Sequence, residues 1–394
     1  LPGPEAQQLA TYIGWLMHRT RGGLVAGTLF ILPGFVVILL LSVVYALFRQ
    51  VPAVDALFFG LKAAVLAVVV EAVLRIGKRA IKGKLMIAVA TLAFVAIFAL
   101  RVPFPAIVAG AGIFGFLGAR LWPAAFPRPA AITAEESGGS IVDSMMARGA
   151  LAHTRPSHRR ALVVLGAGLA LWFGPLLGLA LVFGQRHVFV QQGLFFSQAA
   201  VVTFGGAYAV LAFVAQQAVE RYGWLNPGEM LDGLGLAETT PGPLILVLQF
   251  VGFLGAYRGA GGFSPLLAGV IGSVITVWVT FVPSFLWIFL GAPYIERLRG
   301  STLLHAAMST VTAAVVGVVL NLSVWFTLNT AFGHVTDATF GPLQIAVPTV
   351  STLSWATVVL AAGAMIAMLR FKVGMGWTLL GCAGLGAGYK MLFP

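Results

Sequence analysis

The chain has 394 residues, of which 59% are hydrophobic and 9% charged, and its formal net charge is +12. Soluble domains carry about 25% charged residues, so this composition excludes a soluble protein. The positive charge does not indicate nucleic-acid binding, because the basic residues lie in short loops between apolar runs. One cysteine, Cys382, cannot form a disulfide within the chain, and the six histidines lack the spacing of a metal site.

Apolar runs long enough to cross a bilayer, which takes about 20 residues, recur along the chain. We predict spans near 24–48, 56–77, 85–100, 103–122, 161–183, 188–217, 263–290, 303–329, 352–369 and 371–391. The polar stretch between the fourth and fifth spans predicts a linker. The predicted fold is an all-α polytopic integral membrane protein with a first half at 1–122, a linker at 123–160, a linker transmembrane helix at 161–187 and a second half at 188–394.

One segment occurs twice, about 239 positions apart, as Pro2-Gly3-Pro4 and as Pro241-Gly242-Pro243. Spans broken by Pro and Gly at matching positions of two halves are typical of secondary transporters, and the substrate is expected at the break. The segments 4–18 and 241–257 are therefore predicted to be either tilted spans or half-helices.

The distribution of Lys and Arg predicts the topology, because these residues favour cytoplasmic loops. If the basic loop 75–84 is cytoplasmic and each later span crosses once, Arg221 and the linker 123–160 are cytoplasmic too. The basic residues left outside are Arg49, Arg101, Arg186, Arg258 and Lys390. A counterpart of span 188–217 is expected upstream of Leu1. The resulting odd offset predicts an inverted repeat, whose broken helices meet near the membrane midplane.

The breaks also predict the substrate site. Proline is tolerated in a first helical turn, glycine admits a ligand to the backbone, and a helix N-terminus carries about half a positive charge, which suits an oxyanion. The predicted substrate-binding residues are Pro2, Gly3, Pro4, Gln7, Gln8, Tyr12, Thr239, Thr240, Pro241, Gly242, Pro243 and Gln249. A further broken helix is predicted at Thr203, Phe204, Gly205 and Gly206, since paired glycines weaken a helix. The alternative is that both features only shape helix packing.

Charged residues within the spans are candidates for coupling. Glu5 and Glu238 are predicted to carry a proton or to act as a gate; the alternatives are dipole compensation for Glu5 and a cytoplasmic surface position for Glu238. Lys62 is predicted to extend its amine to the membrane surface, with a role in substrate binding as the alternative, and Glu71 is predicted to pair with Arg75 four residues on. No cofactor or metal is predicted, because the sequence contains no nucleotide-binding loop and no cluster of metal ligands.

The motifs resemble a known family. The stretch Leu231-Asp232-Gly233 through Pro243, the opening Leu1–Ala10 and Phe204-Gly205-Gly206 are similar to the signature of the chromate ion transporter family. The resemblance implies a two-half protein of the bacterial inner membrane that exports chromate and confers chromate resistance. Chromate and sulfate are similar dianions, so the sequence leaves that choice open, as it leaves open whether the protein forms a homodimer. The alternatives are an anion channel and an intramembrane enzyme.

Overall fold

The computed structural model describes residues 4–126, 154, 156–203, 206–294, 301–341 and 343–393. The first helices are α1 (Pro4–Phe48), α2 (Pro52–Ala80), α3 (Lys84–Phe98) and α4 (Phe104–Leu121). They are followed by α5 (His158–Phe183), α6 (Val188–Val201), α7 (Ala207–Gln216), α8 (Pro227–Thr239), α9 (Val247–Arg258), α10 (Pro265–Gly291) and α11 (Thr302–Ala331). The strands β1 (Val335–Phe340) and β2 (Leu343–Pro348) then precede α12 (Trp355–Leu369) and α13 (Met375–Leu392).

Six helices of the described chain are long and apolar enough to cross a membrane: Pro4–Phe48, Pro52–Ala80, Phe104–Leu121, His158–Phe183, Pro265–Tyr294 and Thr302–Ala331. Large apolar side chains such as Leu162 and Leu181 of α5 are exposed, as expected for a surface that faces lipid. The prediction of a mainly helical, multi-pass membrane protein is confirmed. The antiparallel hairpin β1–β2 is an addition that the sequence analysis did not include.

Helix α1 is a helical hairpin. The backbone leaves helical geometry at His18 and Arg19, where φ is −135° and 56°. Thr11 then lies against Gly27, where an added side chain would have no room. On a straight helix these two residues would be about 24 Å apart, at a rise of 1.5 Å per residue. The part of α1 that begins at Pro4 therefore folds back along the span that follows it.

The second copy forms a hairpin of the same kind. A short 3₁₀ turn, Leu244–Leu246, leads into α9, which packs against α10. A Cβ added to Gly269 of α10 would lie 2.8 Å from the ring of Phe253. The chain reverses at Gly261 and Gly262, whose φ angles of 56° and 95° favour glycine.

The reversals of the two hairpins lie at opposite ends of α5. Near its first turn, the Arg160 guanidinium is 5.6 Å from the ring of Trp15, which precedes the reversal of α1. Near its last turn, the ring of Phe183 is 5.7 Å from that of Phe263, which follows the second reversal. Helix α5 has 26 residues and is therefore about 39 Å long. The two reversals are thus separated by the thickness of a bilayer.

The last two helices of each predicted half pack on the long helix of the other half. Helices α12 and α13 pack on α2, and helices α3 and α4 pack on α11. Gly60 of α2 lies against the backbone of Gly386 in α13, and Gly115 of α4 lies against Thr310 of α11. The Thr310 hydroxyl also donates a hydrogen bond of 2.8 Å to the carbonyl of Ala111. Small residues thus allow close helix approach at both exchanged contacts.

Candidate functional site

The chain between α6 and α9 forms two hairpins whose tips lie side by side. Helices α6 and α7 fold back on each other, with the rings of Phe195 and Phe213 5.5 Å apart. Helices α8 and α9 do the same, and Gly233 of α8 lies against the ring of Phe250. The hydroxyl of Tyr208, beside the first tip, donates a hydrogen bond to the carboxylate of Glu238, beside the second. The residues next to two of the predicted breaks are therefore brought together.

Helix N-termini converge on these tips. Helix α7 begins after Gly206, whose φ is 116°, and the 3₁₀ turn that leads into α9 packs against α7. A Cβ added to Gly34 of α1 would lie 2.7 Å from the carbonyl oxygen of Pro241, so α1 contacts the second tip. Pro4 lies seven residues before Thr11, and Gly34 lies seven after its partner Gly27. Because the two arms of the α1 hairpin run in opposite directions, the first turn of α1 at Pro4 lies at about the same level as Gly34.

Two predicted glutamines are fully buried next to these breaks. Gln7 donates from Nε2 to the Thr11 hydroxyl at 2.9 Å, and Gln249 donates from Nε2 to the carbonyl of Phe35 at 2.9 Å. Within the described chain, the Oε1 atoms of both have no hydrogen-bond partner. An unpaired buried carbonyl oxygen is costly, so each glutamine retains an acceptor for a group that enters or moves.

The other predicted residues are less closely tied to a pocket. The hydroxyls of Thr203, Thr239 and Thr240 donate to carbonyls at the ends of their own helices, at 2.6, 2.9 and 3.0 Å. Side chains of Glu5, Gln8 and Tyr12 are half-buried, and Pro4 is buried. The predicted residues Pro2, Gly3, Phe204 and Gly205 lie outside the described residues. Among those described, no cluster of His, Cys, Asp or Glu is arranged to hold a metal ion.

A cavity of about 490 Å³ opens beside the tips. Its lining includes Glu71 and Arg75 of α2, Tyr208, Glu238 and Lys372. The predicted ion pair between Glu71 and Arg75 is confirmed, because Arg75 Nη1 lies 3.9 Å from Glu71 Oε1. A water takes about 30 Å³, so the cavity has room for a tetrahedral oxyanion with several waters. Its two basic and two acidic side chains balance in formal charge, and the converging helix N-termini add partial positive charge beside it.

A buried carboxylate lies towards the other end of α8. Asp232 has no solvent exposure, and three donors approach its Oδ2 atom. The Tyr45 hydroxyl donates at 2.8 Å, Arg49 Nε lies at 3.3 Å and Lys62 Nζ at 3.6 Å. The structure thus gives Lys62 a buried partner that the sequence analysis did not predict. Such a partner stabilises the amine, because an unpaired charge inside the membrane is costly.

Arg49 links this carboxylate to the surface. The Arg49 Nη1 atom lies 2.6 Å from the carboxylate of Asp55, which is 45% exposed. Lys390 of α13 lies 3.9 Å from the Asp55 carboxylate. Burial acts to lower the pKa of Arg49, but the bond to Asp55 and the charge of Asp232 outweigh it, and the pKa is raised. The guanidinium therefore stays charged. A separate pair, Glu229 with Arg258 at 2.9 Å, fixes the start of α8 to the end of α9.

An apolar contact separates the buried carboxylate from the cavity. Gly235 of α8 faces α2, and a Cβ added there would lie 2.7 Å from Leu61 and 3.2 Å from Val65. Val65 has no solvent exposure. Helices α2 and α8 therefore carry polar groups at two levels, with a tightly packed seal between them. We call the contact of Leu61, Val65 and Gly235 the α2–α8 seal.

The structure corrects one part of the predicted topology. The sequence analysis treated 188–217 as a single crossing and placed Arg221 on the opposite side from Arg101 and Arg258. Arg101 instead bonds Glu220 at 3.1 Å, and Arg258 donates to the carbonyl of Trp224 at 2.7 Å. Because α6 and α7 fold back, residues 220–224 lie on the same side as Arg101 and Arg258. The predicted placement of Arg221 is therefore wrong.

Sequence reasoning missed Tyr45, Arg49 and Asp232 as members of a site. Asp232 was noted only as part of a motif, and Arg49 only as a basic residue outside the membrane. A charged residue inside an apolar segment is a signal for function, and Lys62 gave that signal. Its partner lies 170 positions away in the chain, however, and helical spacing cannot identify such a pair.

Broken helices with adjacent tips, a polar cavity and buried ion pairs in a multi-pass helical protein are the features of a membrane transport protein. The family model described as chromate transporter matches residues 1–116 and 190–387, so the chain belongs to the chromate transporter family. The resemblance found in the motifs is thereby confirmed.

Three relatives match most of the chain. The chromate transport protein of Pseudomonas aeruginosa is 32% identical over 81% of this chain and 67% of its own length. The chromate transport protein of Cupriavidus metallidurans is 26% identical over 81% of this chain and 68% of its own length. The probable chromate transport protein of Synechococcus elongatus is 24% identical, over 81% and 69%. No solved structure matches the chain.

Proposed function

We propose that the protein exports chromate, a tetrahedral dianion, across the bacterial inner membrane by alternating access, and thereby confers chromate resistance. The observation that carries this proposal is the convergence of helix N-termini on two adjacent tips beside a cavity that contains Arg75 and Lys372. Helix N-termini and basic side chains bind oxyanions without a metal or a reactive cofactor. The names of the relatives give chromate as the substrate. Sulfate is the second candidate, because it has the same shape and charge.

The proposal includes an inverted repeat. Its support is that the reversals of the hairpins in α1 and in α9–α10 lie at opposite ends of α5. The reciprocal packing of α12–α13 on α2 and of α3–α4 on α11 is what an approximate twofold relation between the halves requires. The breaks at Pro2–Pro4 and at Pro241–Pro243 then approach each other from opposite sides of the membrane. The boundaries 1–122, 123–160, 161–187 and 188–394 belong to this proposal.

The cavity is proposed to open to the cytoplasm. Arg75 lies near the end of α2 in the basic run 75–84, and basic segments at the ends of spans favour the cytoplasmic side. The linker 123–160 is then cytoplasmic as well. A dianion that leaves a cell at about 150 mV, negative inside, gains roughly 7 kcal/mol, enough for a gradient of about 10⁵. Export therefore needs no coupled ion, although Glu5 and Glu238 remain candidates for proton coupling.

The proposed substrate site consists of the two breaks and their polar neighbours. Gly206 and Gly242 contribute backbone N–H groups at the two tips, and Gln7 and Gln249 contribute buried amides. Glu238 acts as a gate in this proposal, because its bond to Tyr208 joins the two tips across the cavity. The α2–α8 seal favours a carrier over a channel, since it blocks a continuous path between the levels of Glu238 and Asp232. An enzyme is disfavoured, because the relatives are named as transport proteins.

The test is uptake of radiolabelled chromate into inverted membrane vesicles, in which export becomes uptake. An interior-positive potential is expected to drive accumulation, and sulfate is expected to compete. Gly242→Val should abolish uptake, because Gly242 has φ 124° and its added Cβ would contact Gly34. Gly83→Val is the matched control, since Gly83 has φ 111° but faces open space. No chromate movement under either a potential or a pH gradient would refute the proposal.

A further inference from the structure

The donors around Asp232 have the composition of an anion-binding site. Arg49, Lys62 and Tyr45 present a guanidinium, an ammonium and a hydroxyl to one point, and all three approach the single atom Oδ2. These are the groups that bind phosphate-like anions in proteins. The site belongs to none of the breaks described above. Its present occupant is a side chain of the protein itself.

The carboxylate fills this site incompletely. An ionised carboxylate can accept about four hydrogen bonds, yet Asp232 Oδ1 is buried and has no partner within the described chain. Arg49 and Lys62 both approach Oδ2, although Arg49 also bonds the exposed Asp55. A tetrahedral dianion would offer Arg49 and Lys62 acceptors in more directions than the carboxylate does. The arrangement therefore suits the proposed substrate better than it suits Asp232.

The position of the site relates it to the transport path. Asp232 and Glu238 lie on the same helix, six residues or about 9 Å apart along its axis. The α2–α8 seal lies between them. Beyond Asp232, Arg49 leads to Asp55, which is 45% exposed, and to Lys390, which is 40% exposed. An anion that passes the seal from the cavity would next meet Arg49 and Lys62 before it reached the surface.

We propose that Arg49, Lys62 and Tyr45 form a second oxyanion site, on the far side of the seal from the cavity, and that the Asp232 carboxylate occupies this site between transport cycles. A tetrahedral dianion displaces the carboxylate when it passes the seal. The carboxylate then returns and repels the dianion towards the surface. Asp232 thus accelerates release of the substrate. This inference rests on the proposed oxyanion transport.

The test compares Asp232→Asn with wild type in chromate uptake by inverted vesicles. Loss of the competing carboxylate should lower the apparent KM about tenfold, because both cations then face the substrate. It should lower the maximal rate by a similar factor, because release slows. Asp232→Glu keeps the charge and should restore most of the rate. Asp337→Asn is the matched control, since Asp337 is exposed and pairs with Arg101, which is no part of the proposed site, and it should change neither constant appreciably.

A second variant is used if the Asp232→Asn protein is not produced at normal abundance. Lys62→Gln removes one cation and leaves the buried carboxylate paired with Arg49, and it should raise the apparent KM about tenfold. Sulfate titration of purified Lys62→Gln protein should show the same weakening. Unchanged KM in Lys62→Gln at normal abundance would overturn the inference, as would a rise in KM in Asp232→Asn. In either case wild-type transport would persist, which separates this failure from failure of the proposed function.

Discussion

Helix α8 carries one carboxylate beside an open cavity and another in a closed site. Glu238 bonds Tyr208 and lines a cavity of about 490 Å³. Asp232 has no solvent exposure and is held by Arg49 and Lys62. Both carboxylates face α2, and the α2–α8 seal lies between their levels. The difference shows that the polar groups around Asp232 are closed off from solvent, while those around Glu238 line an open cavity.

The largest expected effect comes from locking the seal. Gly235→Leu should reduce chromate uptake about 10- to 100-fold at normal abundance, because overpacking costs about 1–3 kcal/mol and hinders the movement of α8 past α2. Vesicle uptake and the amount of folded protein are measured together. Leu61→Ala in the same chain should recover part of the activity by making room for the new side chain. Full activity in Gly235→Leu alone would show that the seal does not move.

Loss of a cavity cation should have the next largest effect. Arg75→Gln should raise the apparent KM for chromate about tenfold, because Lys372 alone then offsets the repulsion of the anion by Glu71 and Glu238. The difference should shrink at high ionic strength, where exposed charges are screened. Lys78→Gln is the control: Lys78 is exposed on the next turn of α2 and does not line the cavity. An equal rise in KM for both variants would indicate a general surface-charge effect.

The bond between the two tips should contribute less. Tyr208→Phe keeps the ring and removes the donor to Glu238, and it should lower the maximal rate about three- to tenfold if the bond holds the tips in register. Uptake is measured at saturating chromate to separate this effect from binding. Tyr222→Phe is the control, since its ring stacks on Trp224 away from the cavity. A change in KM alone would instead make Tyr208 a binding residue.

The smallest expected effect is that of Glu71→Gln. Its contact with Arg75 is 3.9 Å long and partly exposed, and such pairs contribute about 0.3–0.5 kcal/mol on a helix. Thermal stability should therefore be almost unchanged. The apparent KM should fall by less than about twofold, because one repulsive charge leaves the cavity. A larger loss of stability would mean that the pair fixes α2 against its neighbours.

Local sequence signals predicted most helices. The run 303–329 corresponds to α11 at Thr302–Ala331, because length and apolarity alone define a span. Breaks at Gly206 and at Pro241–Pro243 were predicted from the cost of glycine and proline in helices. Whether a helix continues or folds back after a break depends on distant contacts, which explains the error at Arg221. The hairpin at 335–348 was missed between two apolar runs.

The candidate site was predictable only in part. Motifs pointed to the tips because glycine and proline mark backbone irregularities in the sequence itself. The ion cluster depends on partners far apart in the chain, such as Arg49 and Asp232, which are 183 positions apart. No periodicity relates two such residues. The exposed Glu71–Arg75 pair was predicted because both members lie on one helix, four residues apart.

The packing of helices from distant parts of the chain affects how the protein is synthesised. Helix α2 ends at Ala80, but its partner α13 begins at Met375, about 300 residues later. At 5–20 residues per second, α2 waits roughly 15 to 60 s for that partner. During this time, the surface around Gly60 that later receives Gly386 has no neighbour from α13. The biogenesis of the protein therefore requires that α2 be held in the membrane, by lipid or by an insertion factor, until translation is almost complete.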